Sequence, residues 1–98
     1  MTQYTIPLDA LPNQSFSIEI GESDVELEFI TRGSFMYMNL KVNEEEKLNG
    51  VICLNNTNLL LYPTIGIKGK MYFKDTQGNL DPIYFGLGTR WLLVYEDE

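Results

Sequence analysis

The chain has 98 residues, 44% of them apolar, and a formal net charge of −7 from 14 acidic and 7 basic side chains. This is the size of one domain with one core, and the acidic balance disfavours non-specific binding to nucleic acid or to an anionic membrane surface. The sequence contains no histidine, which excludes Ser-His and Cys-His catalysis and ordinary zinc sites.

Membrane insertion and secretion are not indicated either. No apolar stretch approaches the roughly 20 residues of a membrane helix, and the first residues, MTQYTIPLDA, show no secretory signal. We expect a soluble protein made in the cytosol, with one domain over residues 1–98. The single cysteine, Cys53, stands among aliphatic residues and is expected to be a buried, inert thiol.

The chain begins with residues 1–11, expected to form an N-terminal arm, and then enters a specific turn. That turn consists of Leu11, Pro12, Asn13 and Gln14. Proline fixes φ near about −65° and the asparagine side chain can bond its own backbone. The turn would therefore set the register of the next strand, in which a slip of one residue would expose every apolar side chain.

Alternation of apolar and polar residues predicts most of the remaining chain as half-buried strands. The predicted strands are residues 14–20, 24–29, 35–42, 48–54, 67–74 and 90–95. Between them lie turns at 21–24 and 31–34, a charged loop at 43–47, a loop at 55–64 and a turn at 75–82. No segment has a helical period, so we expect an antiparallel β-barrel or sandwich of six to seven strands with no substantial helix, followed by a frayed acidic tail at 96–98.

The glycines and the acidic loop residues could mark irregular backbone or carry chemistry, as in a dinucleotide or a calcium site. Gly50 indicates a bulge or a close backbone approach, and Gly86 and Gly88 indicate positive φ or tight packing, because no third glycine or helix follows to make a dinucleotide site. The segment DTQGNLD superficially resembles a calcium loop, but it lacks the glycine and the glutamate of that motif and is predicted to be a hairpin loop. We predict no cofactor and no metal.

Charged and aromatic side chains define candidate interaction surfaces. Glu26 and Glu28 share a strand face with Asp24, and Lys68 and Lys70 share another with Lys74. Either the two strands are neighbours, or each face meets a partner, or the charges are scattered and unpaired. The other candidates are aromatic residues on faces opposite the apolar stripes: Phe35, Tyr37 and Tyr72. If the strand 35–42 is apolar on both faces, something must cover it on both sides.

The order of these segments resembles the small baseplate plug proteins of contractile-tailed phages. The resemblance is carried by IPLDALPNQSFSIEI, FMYMNLKV, LNGVICLNNTNLLLYP, GIKGKMYF and GNLDPIYFGLGTRWLLVY, and it covers residues 4–95. It implies a virion component at the centre of the tail baseplate, assembled in the host cytoplasm. Its partners would be the hub, the spike and the protein that starts the tail tube, and a homo-oligomer is also open.

The resemblance further implies that the arm before the LPNQ turn can reach a neighbouring subunit. Its candidate contacts are Tyr4, Ile6 and Leu8. It implies no substrate and no enzymatic activity. Two alternatives to a tail component remain at this point: a free-standing small β-barrel module that binds a protein or a ligand, and a carboxylate-based hydrolase. The second is disfavoured because the acidic residues fall on predicted solvent faces and loops.

Overall fold

In the part of the chain that the structure describes, seven strands form two antiparallel sheets packed as a sandwich. The computed structural model describes residues 3–60, 67 and 69–96. The strands are β1 (Gln3–Ile6), β2 (Asn13–Ile20), β3 (Ser23–Arg32), β4 (Phe35–Val42), β5 (Glu45–Ile52), β6 (Lys70–Asp75) and β7 (Trp91–Glu96). One sheet has the order β2-β3-β4-β5 and the other β1-β7-β6. The prediction of an all-β fold is confirmed, and the sheets are not closed into a barrel, so the sandwich alternative is correct.

The core lies between the two sheets and follows the predicted alternation. In β3 every second residue, Val25, Leu27 and Phe29, is fully buried, while the acidic residues between them are exposed. The ring of Phe29 meets that of Phe73 from the other sheet edge to face at 5.6 Å. Burying each such side chain contributes roughly 1.5–3 kcal/mol, so the period of two determines which face of each sheet turns inward.

Two-residue turns connect the four strands of the larger sheet. Gly21 and Gly33 take the first central position of their turns with φ of 62° and 63°, which suits the tight hairpins that match strand twist. The third turn uses Asn43 and Glu44, both with positive φ, 50° and 69°. Of the predicted loop 43–47, only these two residues form a turn. The other three belong to β5, an edge strand, where charged side chains can remain in contact with water.

The β4–β5 pairing is irregular at the position where Gly50 predicted a bulge. The register shifts between Met38 and Leu40 and again between Leu40 and Lys41. Gly50 has φ of 71°, and its N–H donates to the Asn39 side-chain oxygen at 2.7 Å instead of continuing the ladder. The β5 edge is therefore interrupted.

The N-terminal residues are part of the sandwich rather than a free arm. β1 pairs with β7 from Gln3 opposite Glu96 to Ile6 opposite Leu93. The expectation of an arm over residues 1–11 is thus corrected for residues 3–6, which are held by backbone hydrogen bonds. In the predicted acidic tail, Glu96 is the last residue of β7, and residues 97–98 lie outside the described residues.

A long loop between β6 and β7 is organised by the carboxylate of Asp75. The side chain of Asp75 is completely buried, and Arg90 binds both of its oxygens, with Nε at 2.8 Å and Nη2 at 2.9 Å. The same oxygens accept the backbone N–H groups of Gln77 and Leu80, each at 2.9 Å. Residues 75–82, predicted as a hairpin turn, are thus the first part of a longer loop built around one carboxylate.

This environment strongly favours the charged form of Asp75. The hydrogen bonds from Arg90 hold the pKa of Asp75 well below its usual range, although burial alone would raise it, and the two backbone N–H groups act in the same direction as Arg90. Asp75 in turn raises the pKa of Arg90. The loop therefore depends on a charge-assisted, bidentate contact that a neutral amide cannot reproduce.

We expect Glu44→Gly to stabilise the protein by about 1 kcal/mol, because Gly relieves the cost of a left-handed backbone at a non-glycine residue. Denaturant unfolding measures this difference. Glu45→Gly, one residue further inside β5, is the matched control and should instead lose about 0.5–1 kcal/mol. A loss of stability in Glu44→Gly would show that the side chain of Glu44 contributes more than its backbone costs.

We expect Asp75→Asn to lower the melting temperature at pH 7, and the deficit to shrink in acid. Because the folded pKa of Asp75 lies below the unfolded value of about 3.9, its contribution is complete above that pH and is lost as pH falls towards the folded pKa. Thermal unfolding from pH 7 to pH 2 checks this. Glu22→Gln in the exposed β2–β3 turn is the control, and a deficit independent of pH would contradict the assignment.

Candidate interaction surfaces

The turn at residues 11–14 fixes the start of β2 through contacts across the chain. The N–H of Thr31 in β3 donates to the carbonyl of Pro12 at 2.9 Å and to the Asn13 side-chain oxygen at 3.2 Å. The amide of Gln14 closes the turn, because its Nε2 donates to the carbonyl of Asp9 and its Oε1 accepts the N–H of Asp9. Asn13 thus bonds the neighbouring strand, not its own turn, while Leu11 is exposed.

Gly86 and Gly88 lie where the β6–β7 loop packs closely. A Cβ at Gly86 would lie 2.4 Å from the Trp91 ring, and one at Gly88, whose φ is 85°, would lie 2.7 Å from the carbonyl oxygen of Leu8. Larger residues would push the loop off the core and off the segment that follows β1. These glycines support the loop and are not binding groups themselves.

Of the three arm residues predicted to contact another subunit, only one has a free surface. Ile6 is a core residue at 6% exposure, and Leu8 packs against the core from its rim. Tyr4 is 52% exposed and stacks on Tyr95 with ring centroids 6.3 Å apart. Tyr4 therefore remains available to a partner, while Ile6 and Leu8 are used within the chain.

The outer face of the larger sheet carries an acidic row on β3. Asp24, Glu26 and Glu28 are all exposed. Lys41 on β4 approaches Glu26 to 3.9 Å, and the amide of Asn39 donates to Glu28 at 2.8 Å. Glu28 and Asp24 are thus left without a cationic partner among the described residues, and the row keeps most of its negative charge. We call Asp24, Glu26 and Glu28 the acidic face.

Of the alternatives left open for the acidic and the lysine strand, the one that makes them neighbours is excluded. β3 and β6 belong to different sheets, so their outward side chains lie on opposite outer surfaces of the sandwich. Lys70 stands opposite Glu96 of β7 and is exposed, as is Lys74, while Lys68 lies outside the described residues. The outward lysines of β6 and the outward carboxylates of β3 thus lie on opposite outer faces of the sandwich.

Aromatic candidates occupy both outer faces. Phe35, at the β3–β4 turn, is 39% exposed, and Tyr37 is half-buried opposite the 37% exposed Ile52. On the other sheet, the hydroxyl of Tyr72 donates to Glu96 at 3.3 Å and accepts from Gln3 at 3.4 Å. Burial, the charge of Glu96 and this hydrogen bond raise the pKa of Tyr72, so it stays a neutral donor.

Two exposed apolar residues in the β6–β7 loop were not found from the sequence. Leu80 is 58% exposed and Phe85 65% exposed, and we call this pair the loop-end patch. The indole N–H of Trp91 donates to the carbonyl of Leu80 at 3.0 Å, and the Phe85 ring packs against that of Trp91 at 6.2 Å. Arg90, held by Asp75, lies 4.5 Å above the Trp91 ring. The only sequence signal was a pair of apolar residues in a loop.

Two features of the described part of the chain bear on metal binding and on membrane insertion. No three acidic or cysteine side chains there are grouped to hold a metal ion, and no helix there is long and apolar enough to cross a membrane. Burial raises the pKa of the Cys53 thiol to about 12, so it is not a nucleophile at neutral pH. A groove of about 450 Å³ beside β5 has Lys47 as its charged lining residue.

Comparison with known proteins identifies the family of the chain. No curated protein matches the chain. The family model described as cyanophage baseplate Pam3 plug gp18 matches residues 3–98, which include all seven strands, the acidic face and the loop-end patch. The sequence-based resemblance to baseplate plug proteins is confirmed by this match, and the chain belongs to the cyanophage baseplate Pam3 plug gp18 family.

Proposed function

We propose that the chain is a structural component of the phage tail baseplate that packs against the hub and the spike at the end of the tail tube and helps to close the conduit. The family match over residues 3–98 is the observation that carries this proposal. In this role the protein assembles in the host cytoplasm, resides in the virion and acts through protein contacts, without a substrate or a cofactor.

The acidic face supports docking on a basic partner surface. Its carboxylates lie on a strand held on both sides by neighbouring strands, so their spacing is fixed before any partner arrives. Lys41 offsets only part of their charge, at a distance of 3.9 Å and with both side chains half exposed. Exposed charges of one sign speed association and select partners more than they stabilise the fold.

The loop-end patch supports a second, apolar contact. Exposed aromatic and aliphatic side chains are favourable at protein interfaces when they are already ordered, because little conformational entropy is then lost on binding. The Phe85 ring packs against Trp91, whose indole N–H also holds the backbone carbonyl of Leu80, and Arg90 lies over the Trp91 ring. A subunit surface with an apolar pocket would bury both side chains together.

Co-expression with the baseplate hub protein of the same phage or prophage, followed by affinity capture, is the decisive experiment. We expect the two proteins to purify together at a fixed ratio. A chain that stays free of every tail protein in that assay would instead favour a free-standing binding module, for which the groove beside β5 is the place to look.

We expect Glu26→Lys with Glu28→Lys to weaken capture by the hub about tenfold in low salt and much less in high salt, while the melting temperature stays close to that of the wild type. The control is Asp9→Lys with Glu22→Lys, which changes the net charge equally at exposed positions off the acidic face. Equal losses in both variants would assign the effect to net charge alone, and an unfolded Glu26/Glu28 variant would contradict the solvent-exposed position of that face.

We expect Phe85→Ala to reduce capture by about tenfold at any salt concentration, because an apolar contact is not screened. Capture at low and at high salt measures this. Leu11→Ala removes a comparably exposed apolar side chain elsewhere and should leave capture unchanged. Capture that survives Phe85→Ala would exclude the loop-end patch from the interface.

A further inference from the structure

The two edges of the four-stranded sheet differ in a way that points to self-association. The β5 edge carries Glu45, Glu46 and Lys47, and its ladder is broken by register shifts. Such charges and irregularities are what proteins use to prevent sheet edges from pairing. The β2 edge pairs with β3 without interruption over all eight residues, and Glu19 is its single charged residue.

The outward backbone groups of β2 can be assigned from its ladder. The N–H of Thr31 donates to the carbonyl of Pro12, so this pair occupies a hydrogen-bonded position of the antiparallel ladder. Hydrogen-bonded positions recur at every second residue. The backbone N–H and C=O groups that bond with β3 are therefore those of Gln14, Phe16, Ile18 and Ile20. The N–H and C=O groups that point away from the sheet are those of Asn13, Ser15, Ser17 and Glu19, and no described residue pairs with them.

The core is also incompletely covered along this edge. Phe16, Ile18 and Ile20 face inward but are only half-buried, whereas the inward residues of β3 are fully buried. The ring of Phe16 lies 6.3 Å from that of Phe29, so it forms the rim of the core. A strand added beside β2 would cover these three side chains and satisfy the outward backbone groups at the same time.

We propose that β2 pairs antiparallel with β2 of a second copy of this chain, with the two-fold axis at Phe16. This register places Asn13 opposite the partner's Glu19 and Ser15 opposite the partner's Ser17, so all four outward residues of each copy fall in hydrogen-bonded pairs. A shift of the axis to Ser17 would leave Asn13 without a partner residue in the strand.

The side chains favour the same register. The two Phe16 rings face each other at a non-hydrogen-bonded position, where opposite side chains are closest and aromatic pairs stabilise a sheet. The carboxylate of Glu19 meets an amide instead of a second carboxylate. The acidic faces on β3 of the two copies are three strand spacings apart, about 14 Å, beyond the screening length of about 8 Å at physiological salt.

Sedimentation equilibrium of the purified chain tests this, and it does not depend on the baseplate function. We expect a monomer–dimer equilibrium in the wild type. Ser17→Pro removes an outward N–H and should raise the dimer dissociation constant by at least about tenfold, since proline is tolerated at an edge where the N–H faces solvent. Ser17→Thr keeps the N–H and should keep the dimer. Circular dichroism verifies that each variant is folded.

Cysteine cross-linking tests the register even if the proline variant fails to fold. A mixture of Ser15→Cys and Ser17→Cys should form a disulfide between unlike chains, because a hydrogen-bonded pair has Cα atoms about 5.5 Å apart. Ser17→Cys alone should not cross-link, since its like residue lies on the diagonal at about 7–8 Å. Buried Cys53 does not compete.

Three outcomes would overturn the proposal. The first is a wild-type chain that stays monomeric up to about 100 μM, because even a weak dimer of this kind should form at that concentration. The second is a folded Ser17→Pro variant that dimerises as tightly as the wild type. The third is a Ser17→Cys variant that cross-links by itself as readily as the mixture does, which would place the axis elsewhere.

Discussion

The buried carboxylate of Asp75 is the contact on which one end of the sandwich depends. It ends β6, binds Arg90 before β7 begins and accepts two backbone N–H groups, so four hydrogen bonds to one side chain hold a loop that has no regular strands. Arg90 then packs on Trp91, which closes the core and orders the loop-end patch. One charge-assisted cluster thus connects the interior of the protein to a surface that is available for binding.

The two sheets are assembled by different kinds of contact. β2 to β5 follow one another through two-residue turns, so that sheet forms from neighbours in sequence. The other sheet joins β7 to β6, which precedes it by one loop, and to β1, from which most of the chain separates it. Its hydrogen bonds require the closure of a long loop. The chain therefore loses conformational entropy before the contacts that stabilise the sheet have formed. Turn geometry therefore determines the strand order of the first sheet. The strands of the second sheet are brought together by core packing and by the Asp75 cluster.

Sequence reasoning was reliable where a pattern is local. The alternation of apolar and polar residues predicted the strands and inward faces of β2, β3 and β4, because a sheet with one face in solvent and one in the core has this pattern. β1 was missed because four residues carry too little pattern. The charges at 45–47 indicated a loop since a sheet edge is as solvated as a loop. That the acidic and the lysine strand belong to different sheets could not be predicted, because alternation gives a face but not a sheet. The Asp75–Arg90 contact was missed because it joins residues 15 apart.

The pairing of β1 with β7 also has a mechanical meaning. Gln3 stands opposite Glu96 at one end of the ladder, so a force that pulls these two residues apart loads a single pair before the next. Bonds arranged in this way open one by one, like a zipper, and resist far less than bonds sheared along their strands all at once. A neighbouring subunit that bound both residues would hold the two strands together at this end, whereas one that bound only Gln3 could pull β1 away from β7.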